Sequence, residues 1–128
     1  MKKIFFLAFI IAVFSCKTND ENKKIAQEKT FPKLNNDRYN VAFLIMDGTF
    51  NTELTAPFDI FQHTIFRENI KAMNVFTVAN TDKPITTFEG IRILPDYNYL
   101  KDALPKIDIL AIPSAEHHLD TDLEDTKM

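Results

Sequence analysis

The chain has 128 residues, of which 26% are charged, and a formal net charge of −3 at pH 7. That length allows at most one modest domain, and a content of 2 glycines and 6 prolines excludes a loop-dominated or low-complexity protein. The sequence carries no basic stripe of the kind that binds nucleic acid, and its single cysteine excludes an internal disulfide and a cysteine-rich metal site.

Residues 1–16 have the pattern of an export signal. Lys2 and Lys3 precede an apolar run over residues 4–14, which is too short to span a bilayer as a settled helix and suits the core of a signal peptide. The run leads to Cys16 through a small residue, a pattern that resembles a bacterial lipoprotein processing site. We therefore predict a lipid on Cys16 that anchors the protein to a membrane of the bacterial cell envelope. The alternative is ordinary secretion, with Cys16 as an unmodified thiol.

Residues 17–38 are polar and charged and show no periodic apolar face. Such a segment cannot bury enough apolar surface to order itself. We predict a flexible tether that lifts a domain of residues 39–128 off the membrane, on its periplasmic or surface face. A short helix over residues 25–29 is the alternative, although a helix of that length is marginal.

Three apolar runs, over residues 41–46, 73–79 and 107–112, predict core strands covered on both faces, as in parallel sheets. The helical and hairpin patterns between them give an α/β plan with right-handed crossovers. In the flavodoxin-like order the first strand lies between the other two. We therefore expect a flavodoxin-like three-layer sandwich with a mostly parallel sheet.

The helix after the first strand is predicted to begin at Thr52 or Thr55, since either hydroxyl can cap it. Pro57 then belongs to the first turn, where its missing N–H is tolerated. The helix is expected to end at residues 67–69. Four apolar side chains at helical spacing form its buried face: Leu54, Phe58, Phe61 and Ile65.

Local signals also predict two smaller elements before the last strand. Glu89 and Gly90 resemble a tight hairpin turn between residues 85–88 and 91–94. Asp96, which follows a proline, is a good N-cap for a short helix that would reach Leu104.

The loops over residues 47–53 and 113–118 follow neighbouring strands and are predicted to meet at the switch point of the sheet. This is where open α/β folds bind ligands. Glu53 is the candidate catalytic acid of that site. The candidate pocket-lining residues are Asp47, Gly48, Ser114, Ala115, His117 and His118.

Each of these candidates also has a structural interpretation. Glu53 suits the first turn of a helix, where the macrodipole favours a carboxylate. Asp47 is a common turn residue. Adjacent histidines in a loop tend to point apart, so His117, His118 and Glu116 have poor spacing for zinc. The sequence therefore predicts no metal and no other cofactor.

Several pieces match a known family in order and spacing. They are Asp47-Gly48, Glu53-Leu54, the run over residues 56–61, the hairpin with Gly90 and Pro95-Asp96, and the run IDILAIP over residues 107–113. Together they resemble the N-terminal part of the DJ-1/PfpI superfamily, whose members are class I glutamine-amidotransferase-like proteins. The resemblance covers residues 41–123.

The resemblance implies that Glu53 lies against a reactive cysteine on a sharp turn that follows a fourth core strand. A protonated carboxyl at that place can donate a hydrogen bond to the thiolate and tune its reactivity. Intact family members act on small carbonyl- or amide-type substrates with that cysteine. Others are chaperones or ligand-sensing modules, and many are dimers, so a small-molecule ligand and a homodimer are expected.

The chain departs from the family pattern in two places. The usual Pro-Gly-Gly after the third core strand reads Pro113-Ser114-Ala115, and the strand that bears the nucleophile is absent. Cys16 belongs to the export signal and cannot substitute. We therefore expect part of a longer domain, inactive alone. The alternatives are a non-catalytic binding or chaperone-like module, or a remnant without function.

Overall fold

The computed structural model describes residues 29–116. They fold around a four-stranded sheet with one α-helix against it and a small two-stranded hairpin. In chain order the elements are β1 (Tyr39–Leu44), α1 (Asn51–Gln62), a 3₁₀ turn (His63–Phe66), β2 (Met73–Ala79), β3 (Ile85–Thr86), β4 (Arg92–Ile93), β5 (Tyr97–Asn98) and β6 (Ile109–Ala111).

The main sheet has the order β5-β2-β1-β6, and every neighbouring pair in it is parallel. Val41 of β1 pairs with Val75 of β2 on one side and with Ile109 of β6 on the other. The first strand therefore lies between the other two predicted strands. This confirms the flavodoxin-like α/β class with a mostly parallel sheet, and β3 and β4 confirm the predicted antiparallel hairpin.

Both faces of β1 are buried, which explains why its sequence is apolar without alternation. On one face Phe43, fully buried, packs its ring 5.4 Å from that of Phe58 and 6.0 Å from that of Phe61, both on α1. On the opposite face Phe76 of β2 lies 5.2 Å from the ring of Tyr97. Fully burying an aromatic side chain of this kind contributes roughly 1.5–3 kcal/mol. These contacts therefore hold α1 against one face of the sheet and β5 beside β2.

The helix α1 begins earlier than predicted, and the prediction that Thr52 or Thr55 caps it is wrong. Phe50, in extended conformation, occupies the N-cap position. The cap comes from a distant residue, because Oε2 of Glu89 in the hairpin accepts the N–H of Asn51 at 3.0 Å. The hairpin therefore supplies the hydrogen bond that a local hydroxyl would otherwise provide.

Pro57 consequently lies inside the helix rather than in its first turn, and that prediction is also wrong. The α-helix ends at Gln62 and continues as the 3₁₀ turn His63–Phe66, short of the predicted end at residues 67–69. Three residues of the predicted apolar face pack against the sheet. Ile65 lies beyond the α-helix and is 41% exposed.

The short helix predicted from Asp96 to Leu104 does not form. Oδ2 of Asp96 instead accepts the N–H of Thr77 at 2.7 Å and its hydroxyl at 2.9 Å. These bonds hold the following two residues, Tyr97–Asn98, beside β2 as the strand β5. A turn follows. Asp96 therefore acts as a link between strands and not as a helix cap.

Residues 29–38, which we call the clasp, lie against the sheet before β1 begins. Lys29 forms an ion pair with Asp102. Phe31 stacks on Tyr97, with 5.0 Å between the ring centroids. The clasp thus contacts the turn that follows β5 as well as β5 itself.

The far end of the clasp is held by Asn74 of β2. Its Nδ2 donates to the carbonyl oxygen of Asn35 at 2.8 Å, and its Oδ1 accepts the N–H of Asn35 at 3.1 Å. The sequence predicts a flexible tether over residues 17–38, but these contacts make residues 29–38 part of the folded domain. Residues 17–28 and the predicted export signal, with Cys16, lie outside the described residues.

The strand β6 is shorter than the predicted strand over residues 107–112, and within residues 29–116 it pairs with β1 alone. Apolar side chains in and just after β6 remain accessible: Ile109 is 38% exposed, Leu110 51% and Ile112 59%. In the described part of the chain, no helix has the length and apolar character needed to cross a membrane.

Candidate functional site

The loop after β1 is shaped by Gly48 and Thr49. Gly48 has a φ of +80°, and a Cβ placed on it would lie 3.1 Å from the Cβ of Glu116. Thr49 is fully buried, and its Oγ1 accepts the N–H of Met46 at 3.1 Å and donates to the Met46 carbonyl at 2.8 Å. The backbone of this loop is therefore fixed by local bonds and by a position that favours glycine.

The bend after β6 docks directly on this loop. Phe50 donates its N–H to the carbonyl of Ser114 at 3.0 Å, and Glu116 donates its N–H to the carbonyl of Gly48 at 3.1 Å. Thr49 and Ala115 form an antiparallel bridge between the same two segments. The prediction that the two loops meet at the carboxyl ends of β1 and β6 is thus confirmed.

Glu53 lies in the first turn of α1 and reaches across this junction. Its Oε2 accepts the N–H of Ser114 at 2.9 Å. A hydrogen bond to a carboxylate is stronger than one between neutral groups, and the amino end of a helix also favours negative charge. The same side chain therefore serves the helix terminus and joins the two loops, and its carboxyl group is accessible to solvent.

Asp47 connects the loop to the hairpin. Its Oδ1 accepts the N–H of Thr86 at 2.7 Å, and the adjacent Gly48 donates its N–H to the Thr86 carbonyl at 2.8 Å. Phe88 adds a third bond by donating its N–H to the carbonyl of Thr49 at 3.1 Å. The site is therefore bordered by three segments: the loop after β1, the bend after β6 and the β3–β4 hairpin.

No protein-family model matches the sequence, and no curated protein matches it. Solved structures do: DJ-1beta of Drosophila melanogaster superposes with a TM-score of 0.51 at 16% identity, over 62% of this chain and 39% of that chain. This similarity shows that the chain has a DJ-1/PfpI-like fold. At this identity the similarity shows the fold alone.

Two further solved structures are similar to the chain. One is a DJ-1 superfamily protein from Agrobacterium tumefaciens, with a TM-score of 0.48, 16% identity and coverage of 62% of this chain and 39% of that chain. The other is a ThiJ/PfpI family protein from Pseudomonas syringae, with a TM-score of 0.45, 18% identity and coverage of 70% and 37%. The chain therefore spans less than half the length of the solved proteins that it matches.

Within this DJ-1/PfpI-like domain, the sequence did not reveal the roles of Thr49, Glu89 and Asn51. Thr49 organises the loop, and Glu89 fixes the start of α1 and with it the position of Glu53. Their partners are known only once the chain has folded, because Glu89 lies 38 positions from the residue that it caps. The Oδ1 of Asn51 is buried and has no hydrogen-bond partner among residues 29–116.

Ser114 lies in the bend where the family's usual Pro-Gly-Gly is replaced by Pro113-Ser114-Ala115. In the structure its N–H is donated to Glu53. A substrate oxyanion could use that N–H only if the carboxylate of Glu53 moved away or shared it.

Metal ligands are not grouped in the part of this site that the structure describes. Among residues 29–116, no three histidine, cysteine, aspartate or glutamate side chains lie close enough together to hold a metal ion. The predicted pocket residues His117 and His118 lie outside the described residues, as does Cys16. The positions of these three side chains relative to Glu53 therefore remain predictions.

Asp82 and Asp102 have lowered pKa values, and both carboxylates pair with Lys29 of the clasp. The ion pair with Lys101, followed by that with Lys29, lowers the pKa of Asp82. The N–H of Asn98, followed by the ion pair with Lys29, lowers the pKa of Asp102. The ion pairs that cause these shifts hold the clasp against the turn after β5.

Proposed function

We propose that this DJ-1/PfpI-like domain supplies the acidic half of a thiol-dependent site for small carbonyl- or amide-type substrates. The observation that supports the proposal is the 2.9 Å hydrogen bond between Ser114 and Glu53. It holds a carboxyl group at the carboxyl end of a parallel sheet, between β1 and β6, where strand order makes a ligand crevice.

In this proposal Glu53 acts on a cysteine nucleophile that residues 29–116 do not contain. The single cysteine of the sequence is Cys16, in the predicted export signal. A thiolate beside a carboxyl group favours the protonated acid, which then donates a hydrogen bond to the sulfur. An acid without its nucleophile cannot form a covalent intermediate, so we expect no thiol-dependent turnover from the chain alone.

The experiment compares the full chain with its Cys16→Ser variant on a panel of small aldehydes, amides and nitriles. Neither protein should turn over any of them. Turnover that persists in Cys16→Ser would contradict the proposal, because it would require another nucleophile. The assay should include a thiol-reactive reagent. If wild type alone were active and lost its activity on labelling, the activity would be assigned to Cys16, and this result would also contradict the proposal.

Binding provides the positive test. The amide resonance of Ser114 should shift when a small carbonyl ligand is added to the wild-type chain, and the shift should be lost in Glu53→Gln. Glu68→Gln, which changes an exposed glutamate away from the site, is the matched control and should bind as wild type. If the ligand shifted the Ser114 resonance of Glu53→Gln as much as that of wild type, Glu53 would not be part of the binding site.

A non-catalytic binding module is the second candidate, and Asn51 is the observation that favours it. Its buried Oδ1, unpaired among the described residues, offers an acceptor to a ligand N–H at the start of α1. A buried acceptor without a partner costs about 1–3 kcal/mol, which a bound donor would recover. In this case Asn51→Leu abolishes ligand-induced thermal stabilisation while Glu53→Gln preserves it, the reverse of the first proposal.

We also propose that the protein is anchored in the bacterial envelope by a lipid on Cys16. The support is the sequence pattern alone, since that residue lies outside the described range. A labelled fatty acid should become covalently attached to wild type but not to Cys16→Ser, and the variant should leave the membrane fraction. Equal labelling of both proteins would exclude Cys16 as the attachment site.

We propose that the protein forms a homodimer, because many members of the superfamily that it resembles are dimers. Sedimentation of the detergent-solubilised full chain should then give twice the mass of one chain over a broad range of concentrations. A single-chain mass at all concentrations would remove the proposal. The ligand experiments above are unaffected by either result, because the site is formed within one chain.

A further inference from the structure

A cavity lies at the amino ends of β1, β2 and β6, at the opposite end of the sheet from Glu53. It has a volume of about 410 Å³. Three cationic side chains line it, from the clasp, from the segment before β2 and from the segment before β6: Arg38, Lys71 and Lys106. We call this cavity the basic pocket.

Asp108 is the one carboxylate among the residues that line the basic pocket, and its charge is already matched. Its Oδ1 lies 2.8 Å from Nζ of Lys106, and its Oδ2 accepts the N–H of Asn40 at 2.9 Å. These contacts, with that of Lys106 the larger, lower the pKa of Asp108, so the group is ionised at neutral pH. Asp108 therefore neutralises Lys106 and leaves the other two cations of the pocket.

Arg38 and Lys71 carry the remaining positive charge, although the charge of Lys71 also contributes to lowering the pKa of Asp108. Within residues 29–116 neither side chain forms an ion pair with a carboxylate. The Nζ of Lys71 lies 4.2 Å from the centre of the Tyr39 ring, a cation–π contact that orients the side chain without neutralising it. The pocket thus concentrates positive charge in a chain whose formal net charge is −3.

The backbone that carries these cations is held in place before any ligand arrives. Arg38 donates its N–H to the carbonyl of Asn35 at 3.2 Å, and Tyr39 donates its N–H to that of Ala72 at 3.2 Å. The Nδ2 of Asn40 donates to the carbonyl of Lys106 at 2.8 Å. A preformed wall of this kind lowers the entropic cost of binding.

We propose that the basic pocket binds a phosphate group through Arg38 and Lys71. The planar guanidinium of arginine can donate two parallel hydrogen bonds to phosphate oxygens, and lysine adds a point charge. Asparagine side chains at the rim, such as Asn36, supply further amide donors. The phosphate can belong to a soluble anion or to the headgroup of an anionic lipid, and the second source depends on the proposed lipid anchor.

The geometry of the chain permits the lipid source. Lys29 contacts Asp102, which follows the carboxyl end of β5, so the clasp starts at the opposite end of the sheet from the basic pocket. Twelve residues, 17–28, separate Cys16 from Lys29. A chain of that length spans at most about 40 Å, while the six residues of β1 span only about 20 Å. An anchor on Cys16 therefore does not prevent the amino end of the sheet from reaching a membrane.

The first arm of the test uses inorganic phosphate and the full chain in detergent. Adding sodium phosphate at constant ionic strength should shift the amide resonances of Asn36, Arg38 and Lys71. The double variant Arg38→Gln/Lys71→Gln should lose this response. The matched control Arg67→Gln/Lys83→Gln removes the same charge from exposed positions outside the pocket and should respond as wild type. Circular dichroism should show both variants folded.

The second arm distinguishes the two sources. Binding to vesicles is measured by co-sedimentation. One set of vesicles is pure phosphatidylcholine, and the other contains equal parts of phosphatidylcholine and the anionic lipid phosphatidylglycerol. Each basic side chain near an anionic surface contributes a factor of about five. The pocket variant should therefore bind anionic vesicles roughly twentyfold more weakly than the control variant. Residues 1–28 are identical in both variants, so any contribution that they make to vesicle binding cancels in that comparison.

Three outcomes are decisive. Pocket-dependent responses in both arms support a lipid headgroup as the phosphate donor. A response to inorganic phosphate with equal vesicle binding by the two variants supports a soluble phosphate and excludes the membrane. Phosphate shifts that are absent, or equal in the pocket and control variants, overturn the proposal whatever the vesicles show.

Discussion

The two ends of the sheet use their charged side chains in different ways. At the carboxyl end, each of three carboxylates accepts a backbone N–H from another segment. These pairs are Asp47 with Thr86, Glu53 with Ser114, and Glu89 with Asn51. At the amino end the excess charge is positive, and two cations lack a carboxylate partner among the described residues.

The difference distinguishes charged groups that hold the fold together from charged groups that can bind a ligand. Carboxylates that accept backbone N–H groups join loops that come from distant parts of the sequence, so Glu53 has a structural role whether or not it takes part in chemistry. Arg38 and Lys71 form no such links through their charged groups within residues 29–116. Substitutions at the carboxyl end should therefore change stability, and substitutions of those two cations should change binding with little effect on stability.

The largest effect on stability is expected at the amino end, from Asn74→Ala. Asn74 is 6% exposed and makes three hydrogen bonds, two with Asn35 and one with Asn40. Losing them should destabilise the domain by about 3 kcal/mol in urea denaturation, at about 1 kcal/mol for each bond. The exposed neighbour Asn36→Ala should change it by less than about 0.5 kcal/mol. Equal effects would mean that the clasp is not held by Asn74.

Gly48→Ala should be next, at about 2 kcal/mol. The positive φ alone costs about 1 kcal/mol, and the new Cβ would press on Glu116 at 3.1 Å. Gly90→Ala is a matched control, because its φ is +88° and nothing lies within 4 Å of a Cβ there. It should cost about 1 kcal/mol. If the two variants lost the same stability, the close packing of the two loops would be absent in solution.

Glu53→Gln should cost less than about 1 kcal/mol, since the amide oxygen can still accept the Ser114 N–H as a weaker, neutral partner. Glu53→Ala should cost more, because it removes the acceptor. Hydrogen exchange at the Ser114 amide reports the bond directly and should accelerate in the order wild type, Gln, Ala. Equal exchange in all three proteins would show that Glu53 does not hold the bend after β6.

The smallest effect concerns pH. Lys106 lowers the pKa of Asp108 in the folded state, so the ionised form stabilises the domain at any pH above the unfolded pKa. That contribution is lost as the pH falls through the folded pKa. Lys106→Gln should raise the pKa of Asp108 toward its ordinary value and shift acid unfolding slightly upward in pH. Carbon-13 titration of the Asp108 carboxyl measures this, and an unchanged midpoint would contradict the ion pair.

The sequence was sufficient for three of the four strands of the main sheet, because their apolar runs are strong, continuous signals, whereas β5 was not predicted. The apolar runs beginning near Val41 and Met73 are buried on both faces, and burial of that kind has few alternatives. The position of the first strand between the other two predicted strands followed from the flavodoxin-like order. Convergence of the two loops at Glu53 and Ser114 then followed from topology without any knowledge of side chains.

The sequence failed where a single long-range bond decides the structure. Asp96 has the identity and context of a helix cap, but Thr77 competes for its carboxylate and produces β5 instead. Glu89 has the context of a turn residue, yet it caps α1. The clasp has too few apolar residues to show a periodic face, although Phe31 and Asn35 each find a specific partner. Such pairings leave no local pattern.

If Cys16 carries the proposed lipid, the clasp determines what happens when the domain is pulled away from the membrane. In a protein held at Cys16, tension would enter the folded part at Lys29 and detach its ion pair and then the ring of Phe31 before it reached β1. These contacts would break one after another, at lower force than the simultaneous rupture of a β-ladder. Peeling of ten residues would lengthen the connection by about 35 Å and leave the sheet and the Glu53–Ser114 junction intact.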